Sequence, residues 1–470
     1  MDGNERRAMV RQVWRRLLDL APEYVFLIFA TIGGLALVAL IPPVAGGNEQ
    51  FNFQRVANIA AFHLMIEPAQ IPLGTKRLLD VAHGQFNPGQ LPPYHYSTAQ
   101  FDAIASIPLD ADAPATLEPN PIAVLNPVAY IPQVAVYWLG EAFGWSPLVL
   151  FYLGRLAGLA AAIGLTFAAI SRMPFHRYGL CAVALLPTLA FSRSTLDADQ
   201  MTNGLAFLFV ANLLSVASSG QPIRWRTVVW LAALGFLIAQ CKSAYLVLPA
   251  LAFAIPIDLY GSARRYLLAS LAIVVPGALV SIGWMLALRH GYFAGIHYFV
   301  RGAAIYPDGQ VASILADPLN YMQVVARTVF LSPLAPLSLI GLIGLFGPPV
   351  YMPALAYPLV AASLAAVLIG EGTTIAWRPS ALLRGLAIAC VLAGVGLILT
   401  LLYVQWDSVG APVIQGFSGR YLYPFAPLVL LFVPAKRLAL FGLEAKAWTA
   451  LLGLIAAGCT LGVTWSTYWA

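Results

Sequence analysis

Apolar stretches of about 20 residues recur through the chain, each long enough to cross a hydrocarbon core roughly 30 Å thick. Inside lipid every backbone N–H and C=O must pair within its own segment, so such stretches commit to helices. Charged residues are 10% of the 470, where a soluble domain carries about 25%. These features describe an all-α polytopic membrane protein with little soluble mass. The net charge of +6 comes mostly from short loops and reports topology before it reports a partner. No basic stripe with interleaved aromatics is present, so no nucleic acid is expected. Cys181, Cys241, Cys390 and Cys459 all lie in or beside apolar runs without metal-ligand spacing, and read as small buried hydrophobes.

Residues 1–23 carry Arg6, Arg7, Arg11, Arg15 and Arg16 on an amphipathic pattern. That basic excess places the N-terminus in the cytoplasm, lying on the inner surface. A first span over 24–43 then delivers residues 44–145 to the outside as a large loop with interfacial helices. Seven of the 20 acidic residues fall in its first three quarters: Glu49, Glu67, Asp80, Asp102, Asp110, Asp112 and Glu118. Phe53, Val56, Ala57, Ala60 and Leu64 form one face of a short helix. Pro88–Pro93 and Ala113–Pro121 read as irregular. Asn126–Gly144 is expected as an interfacial helix with Tyr130, Tyr137 and Trp138 at headgroup level. A transmembrane bundle over 146–288, an outer or re-entrant segment over 289–351 and C-terminal helices over 352–470 complete the chain. Alternating basic loops give about 11 spans, within a range of roughly 9–13.

The few polar residues of the helices mark candidate functional positions, because a charge in a span faces a cavity or a partner. Glu49, six residues past Pro43, sits at the mouth of any cavity the helices form and reads as the chemical centre. Arg155 lies nine residues into its span and is either a ligand group or a structural partner for a loop carboxylate. Asp197 and Asp199 stand at the outer end of a hairpin, where a solvated turn is the plainer reading. Lys242 stands at an outer turn. Arg420, with Tyr421 beside it, follows Gly416 and Gly419, a flexible backbone that permits close approach to a ligand. Arginine there suits phosphate, whose oxygens its planar fork matches in pairs. Arg301, in the second outer segment, is a weaker candidate. His63 and His83 read as surface histidines, and no set has zinc spacing.

The layout resembles the GT-C superfamily of integral-membrane glycosyltransferases: a first span, a large outer loop opening on an acidic residue, then many spans. More narrowly, it is similar to the bacterial family of predicted membrane proteins of unknown function numbered 2142. That family opens its first outer loop with Asp-Glu, then histidine three residues after the Glu, then arginine three further on. Here the residues are Asn48-Glu49, Asn52 and Arg55. NPVAYIPQ, FYLGRLAGL around Arg155, STLDADQMTNG around Asp199, CKSAYLVLP around Lys242 and IQGFSGRYLYP around Arg420 extend the match.

The resemblance implies a glycosyltransferase at the outer face of a bacterial inner membrane. Its donor is a sugar on polyprenyl phosphate or pyrophosphate, and its acceptor a cell-envelope glycan or lipid. Glu49 is the expected general base. Arg420, with Lys242 or Arg155, is expected to neutralise the leaving phosphate, and Arg55 joins the substrate-binding set. No cofactor is required, although a divalent metal is compatible. Two rival readings are a lipid-linked-oligosaccharide polymerase or ligase, and a non-enzymatic flippase or transporter of polyprenyl-linked sugars.

Overall fold

The computed structural model describes residues 20–65, 68–85, 94–117, 121–291, 298–300, 303–331, 341, 344–347, 350–372, 377–434 and 443–470. Most of the basic N-terminal segment and the candidate Arg301 lie outside the described residues.

Helix α1 (Pro22–Leu40) opens on a proline, where a missing N–H is harmless. It stops before Pro42-Pro43, which cannot continue it. A short turn leads to α2 (Glu49–Ala60), which buries Phe53, Val56, Ala57 and Ala60 as the periodicity predicts. Leu64, assigned to the same face, lies beyond the helix end and is exposed. Part of the expected irregular stretch is instead a strand: Pro114–Leu117 pairs antiparallel with Ala69–Pro72. The expected interfacial helix is α3 (Ile131–Ala142), with one correction. Tyr130 and Tyr137 are buried, their hydroxyls bonded to Asn52 Oδ1 at 2.6 Å and Thr75 Oγ1 at 2.8 Å. Seven residues apart, they share the face that packs on α2, and only Trp138 turns outward.

Helix α4 (Pro147–Arg172) follows. The next apolar run, within the expected bundle over 146–288, forms two short helices, α5 (Arg177–Ala184) and α6 (Pro187–Ser194). Pro187 explains the break: it lacks the N–H, and it holds Leu186 at an extended ψ of 141°. Helix α7 (Asp199–Ser218) packs along α4. Helix α8 (Trp225–Cys241) runs into a 3-10 segment, Ser243–Ala254, interrupted by Pro249. Helix α9 (Ala263–Gly291) packs on that segment. Helices α10 (Ala356–Gly370), α11 (Ala381–Trp406) and α12 (Ala445–Tyr468) come last. Helix α11 covers a further side of the 3-10 segment, while α10 and α1 pack on α12.

Six of these helices, α1, α4, α7, α9, α11 and α12, are long and apolar enough to cross a membrane. The other expected spans are shorter or broken. Three are the shorter apolar elements α8, Ser243–Ala254 and α10. Two are pieces: α5 with α6, and the short turns of Gly419–Phe432 around Pro424 and Pro427. The molecule is a multi-pass helical membrane protein.

Candidate functional site

The turn joining α6 to α7 carries Leu196-Asp197-Ala198-Asp199, and two distant segments bring a cation to it. Helix α8 ends at Cys241, where Lys242 adopts an extended backbone. Gly416, at a φ of +79° that an L side chain resists, turns the chain into Gly419–Phe425, which presents Arg420 and Tyr421. The Tyr245 hydroxyl donates to the Tyr421 carbonyl at 3.0 Å and pins that turn.

Four charges meet there. Arg420 Nη1 donates to Asp197 Oδ2 at 3.0 Å, and Arg420 Nε lies 3.8 Å from Asp199 Oδ2. Lys242 Nζ donates to Asp199 Oδ1, and the Asp199 backbone N–H donates to Asp197 Oδ1 at 3.1 Å. The Tyr421 ring serves both cations, its centroid 5.5 Å from Lys242 Nζ and 5.4 Å from Arg420 Cζ, a cation–π arrangement. Burial, and next the Asp199 carboxylate, raise the pKa of Asp197 above the usual carboxylate range, against the pull of Arg420 and Lys242.

Asp197, Lys242, Arg420 and Tyr421 line one end of a cavity of about 150 Å³, with Asn48 and Asn52 beside them. Apart from Ser243 and Gln405, the rest of its lining is apolar or aromatic. Ile122 and Leu125 come from the loop, Met285 from α9, and Ile398, Leu401 and Leu402 from α11. The Trp284 indole donates to the Val124 carbonyl at 2.9 Å and ties α9 to the loop wall. An anionic head with an apolar tail matches this division of polar end and apolar wall.

The structure does not bring Glu49 into the cavity. Glu49 and Arg155 are both 0% exposed. Arg155 Nε donates to Glu49 Oε1 at 2.8 Å and Nη2 to Oε2 at 2.6 Å. The remaining guanidinium bonds go to the carbonyls of Val38, Ile41 and Pro42 at the end of α1. Each Glu49 oxygen also accepts a backbone N–H, Oε2 from Gly46 at 2.9 Å and Oε1 from Leu196 at 2.8 Å. Gly46 has to be glycine, since a Cβ there would stand 2.7 Å from Glu49 Cδ and 2.5 Å from Thr195 Cγ2. Glu49 therefore acts on the site at one remove, by holding the residue before Asp197.

Arg55 is likewise buried and positional. It donates to the Leu125 carbonyl through Nε at 3.2 Å and Nη2 at 2.9 Å, and to the Leu64 carbonyl at 2.7 Å. It thus fixes part of the cavity wall, and burial lowers its pKa to about 10. Of the other sequence candidates, Asp199, Lys242, Arg420 and Tyr421 come together. Asp197, which the sequence left as a turn carboxylate, is the one that reaches the cavity. Asn52, standing where the resembling family has histidine, was missed as a lining residue. Among the described residues no group of three or more His, Cys, Asp or Glu side chains could hold a metal ion, and both aspartates are engaged by cations.

A family model described as predicted membrane protein (DUF2142) matches residues 31–429. No curated protein and no solved structure matches the chain.

Proposed function

The chain belongs to this family of predicted membrane proteins, DUF2142, and on that basis we propose that it is a membrane glycosyltransferase of GT-C type. Its donor is a sugar carried on a polyprenyl phosphate or pyrophosphate. Its acceptor is a cell-envelope glycan or lipid, met on the loop-bearing face of a bacterial inner membrane. The observation that carries this reading is the cavity, with paired charges at one end and apolar walls from α9 and α11.

The isoprenoid chain lies along the apolar walls and the phosphate meets Arg420 and Lys242. An acceptor hydroxyl attacks the anomeric carbon, the bond from that carbon to the phosphate oxygen breaks, and the hydroxyl proton passes to Asp197. The base is Asp197 and not Glu49, because a base must reach its proton and Glu49 is sealed against Arg155. The two cations stabilise charge growing on the leaving phosphate, an effect magnified where water is excluded.

Binding of geranylgeranyl phosphate to the purified protein in nanodiscs tests the phosphate end, with geranylgeraniol as control. Arg420→Lys keeps the charge but loses the fork. Affinity should fall by roughly tenfold or more, as expected from losing a charge-assisted hydrogen bond. An unchanged affinity refutes the pairing. Turnover is read as release of geranylgeranyl phosphate from a geranylgeranyl-phosphate-linked hexose in the presence of cell-envelope glycan. Asp197→Asn should slow it by about 10²–10⁴-fold.

A further inference from the structure

The cluster at the polar end has no cation to spare. Asp197, Asp199, Lys242 and Arg420 sum to zero, and each cation already touches a carboxylate. A phosphate cannot simply add to such a site. It must take a cation from a carboxylate, and the two carboxylates are not equally placed. Asp199 is 3% exposed, does not line the cavity, and is held by Lys242, which does. Asp197 lines the cavity; its Oδ1 accepts only the Asp199 backbone N–H, and Arg420 holds its Oδ2 through one bond at 3.0 Å. That contact uses one guanidinium nitrogen, while Nε stands 3.8 Å from Asp199. The planar fork is therefore not matched by either aspartate, whereas a phosphate could engage it through two parallel bonds. Among the described residues Asp199 Oδ2 has no hydrogen-bond donor, so the resting pairing is incomplete on that side too.

We propose that a donor with a single phosphate enters by ion exchange, its phosphate displacing the Asp197 carboxylate from Arg420, and that the displaced Asp197 thereby becomes the proton acceptor of the reaction. This rests on the phosphate reading above and deepens it. Once displaced, Asp197 faces the Asp199 carboxylate, the Lys242 ammonium already committed to Asp199, the Arg420 now committed to phosphate, and the buried phenols of Tyr130 and Tyr245 with the Cys241 thiol near them. Arg55 is the remaining cation near Tyr130, and its hydrogen bonds go to backbone carbonyls. Without its own cation and beside a second carboxylate, Asp197 gains affinity for a proton. In the reaction the acceptor oxygen's lone pair forms the new bond to the anomeric carbon. The old carbon–oxygen pair leaves on the phosphate, and the acceptor's proton ends on Asp197. When the polyprenyl phosphate departs, Asp197 gives up that proton and pairs again with Arg420. A diphosphate would have to draw Lys242 from Asp199 as well, and would leave both buried carboxylates without a cation. Hence the single phosphate.

Geranylgeranyl methyl phosphate is a suitable probe, because a phosphodiester keeps one charge and does not titrate near neutral pH. Calorimetry in buffers of different ionisation enthalpy reads the protons taken up on binding. At pH near and below the bound-state pKa of Asp197, wild-type protein should take up protons as the probe binds, and affinity should fall as pH rises through that value; above it Asp197 stays ionised and free to take the acceptor's proton. Asp197→Asn should bind the probe more tightly, without uptake and without that pH dependence, while Asp197→Glu restores both. Geranylgeranyl diphosphate should bind at least about tenfold more weakly, a difference of roughly 1.4 kcal/mol. Binding without proton uptake, a slope that survives in Asp197→Asn, or equal affinity for the diphosphate overturns the exchange. If Asp197→Asn does not fold, wild-type uptake and its retention in Asp197→Glu decide. Failure of the phosphate reading looks different: no probe binding, or binding unchanged in Arg420→Ala.

Discussion

At Glu49 and Arg155 two full charges are buried together, each with several hydrogen-bond partners in fixed geometry. Such a pair adds little net stability when intact, but removing one member strands the other without a counter-charge, at about 3–5 kcal/mol. Glu49→Gln and Arg155→Gln should each lower thermal stability in detergent by that order, and the double variant by much less than the sum. An additive double variant contradicts the buried pair. Asp197→Asn, by contrast, should leave the melting temperature close to wild type while affecting turnover. From the sequence, Glu49 could be read as a carboxylate just beyond a span, and Arg155 as a cation too deep to reach the headgroups. That Arg155 could pair with a loop carboxylate was legible; that the carboxylate is Glu49 was not, because 106 residues separate them. Asp197 and Asp199 look alike in the chain. What distinguishes them is which one faces the cavity, and that depends on Lys242 and Arg420 arriving from other segments.

Among the elements, α5 begins with two backbone N–H groups that no preceding residue can satisfy. Glu371, just past the end of α10, supplies both: its oxygens accept from Tyr178 at 2.9 Å and Gly179 at 2.6 Å. Burial raises the Glu371 pKa to about 7, against the lowering effect of those same bonds. A carboxyl raised in the folded state favours folding most at pH below its ordinary value. Stability should fall as pH climbs from about 4.5 through about 7 and level off above, by roughly 3 kcal/mol in all. Thermal unfolding followed across that range checks the slope, and Glu371→Gln should flatten it. Legibility at this scale followed the prolines. Apolar runs without internal proline, such as those of α4 and α11, became single helices. Pro187, Pro249, Pro424 and Pro427 broke or tightened theirs, whereas α9 carries Pro276 and stays one helix. The burial of Tyr130 was not legible, since its Asn52 partner is 78 residues away.

Across the whole molecule, the cavity exists because the loop, the α6–α7 turn and the ends of α8, α9 and α11 meet at one place. Leu401→Trp, which fills the apolar wall, should abolish geranylgeranyl phosphate binding while the protein still unfolds cooperatively; normal binding would mean that the isoprenoid chain lies elsewhere. The Glu49–Arg155 pair also imposes an order in time. Glu49 leaves the ribosome 106 residues ahead of Arg155, and the Leu196 N–H follows later still. At roughly 5–20 residues per second the carboxylate waits about 5–20 s for its counter-charge. Through that interval the loop has no anchor in the bundle, so a nascent chain arrested before Arg155 should be cut within the loop by added protease. A chain arrested well after Leu196 should resist. The first acidic residue beyond the membrane thus waits on residues far along the chain, and the loop around it settles only after the fourth helix has been inserted and the turn leading into the seventh has followed.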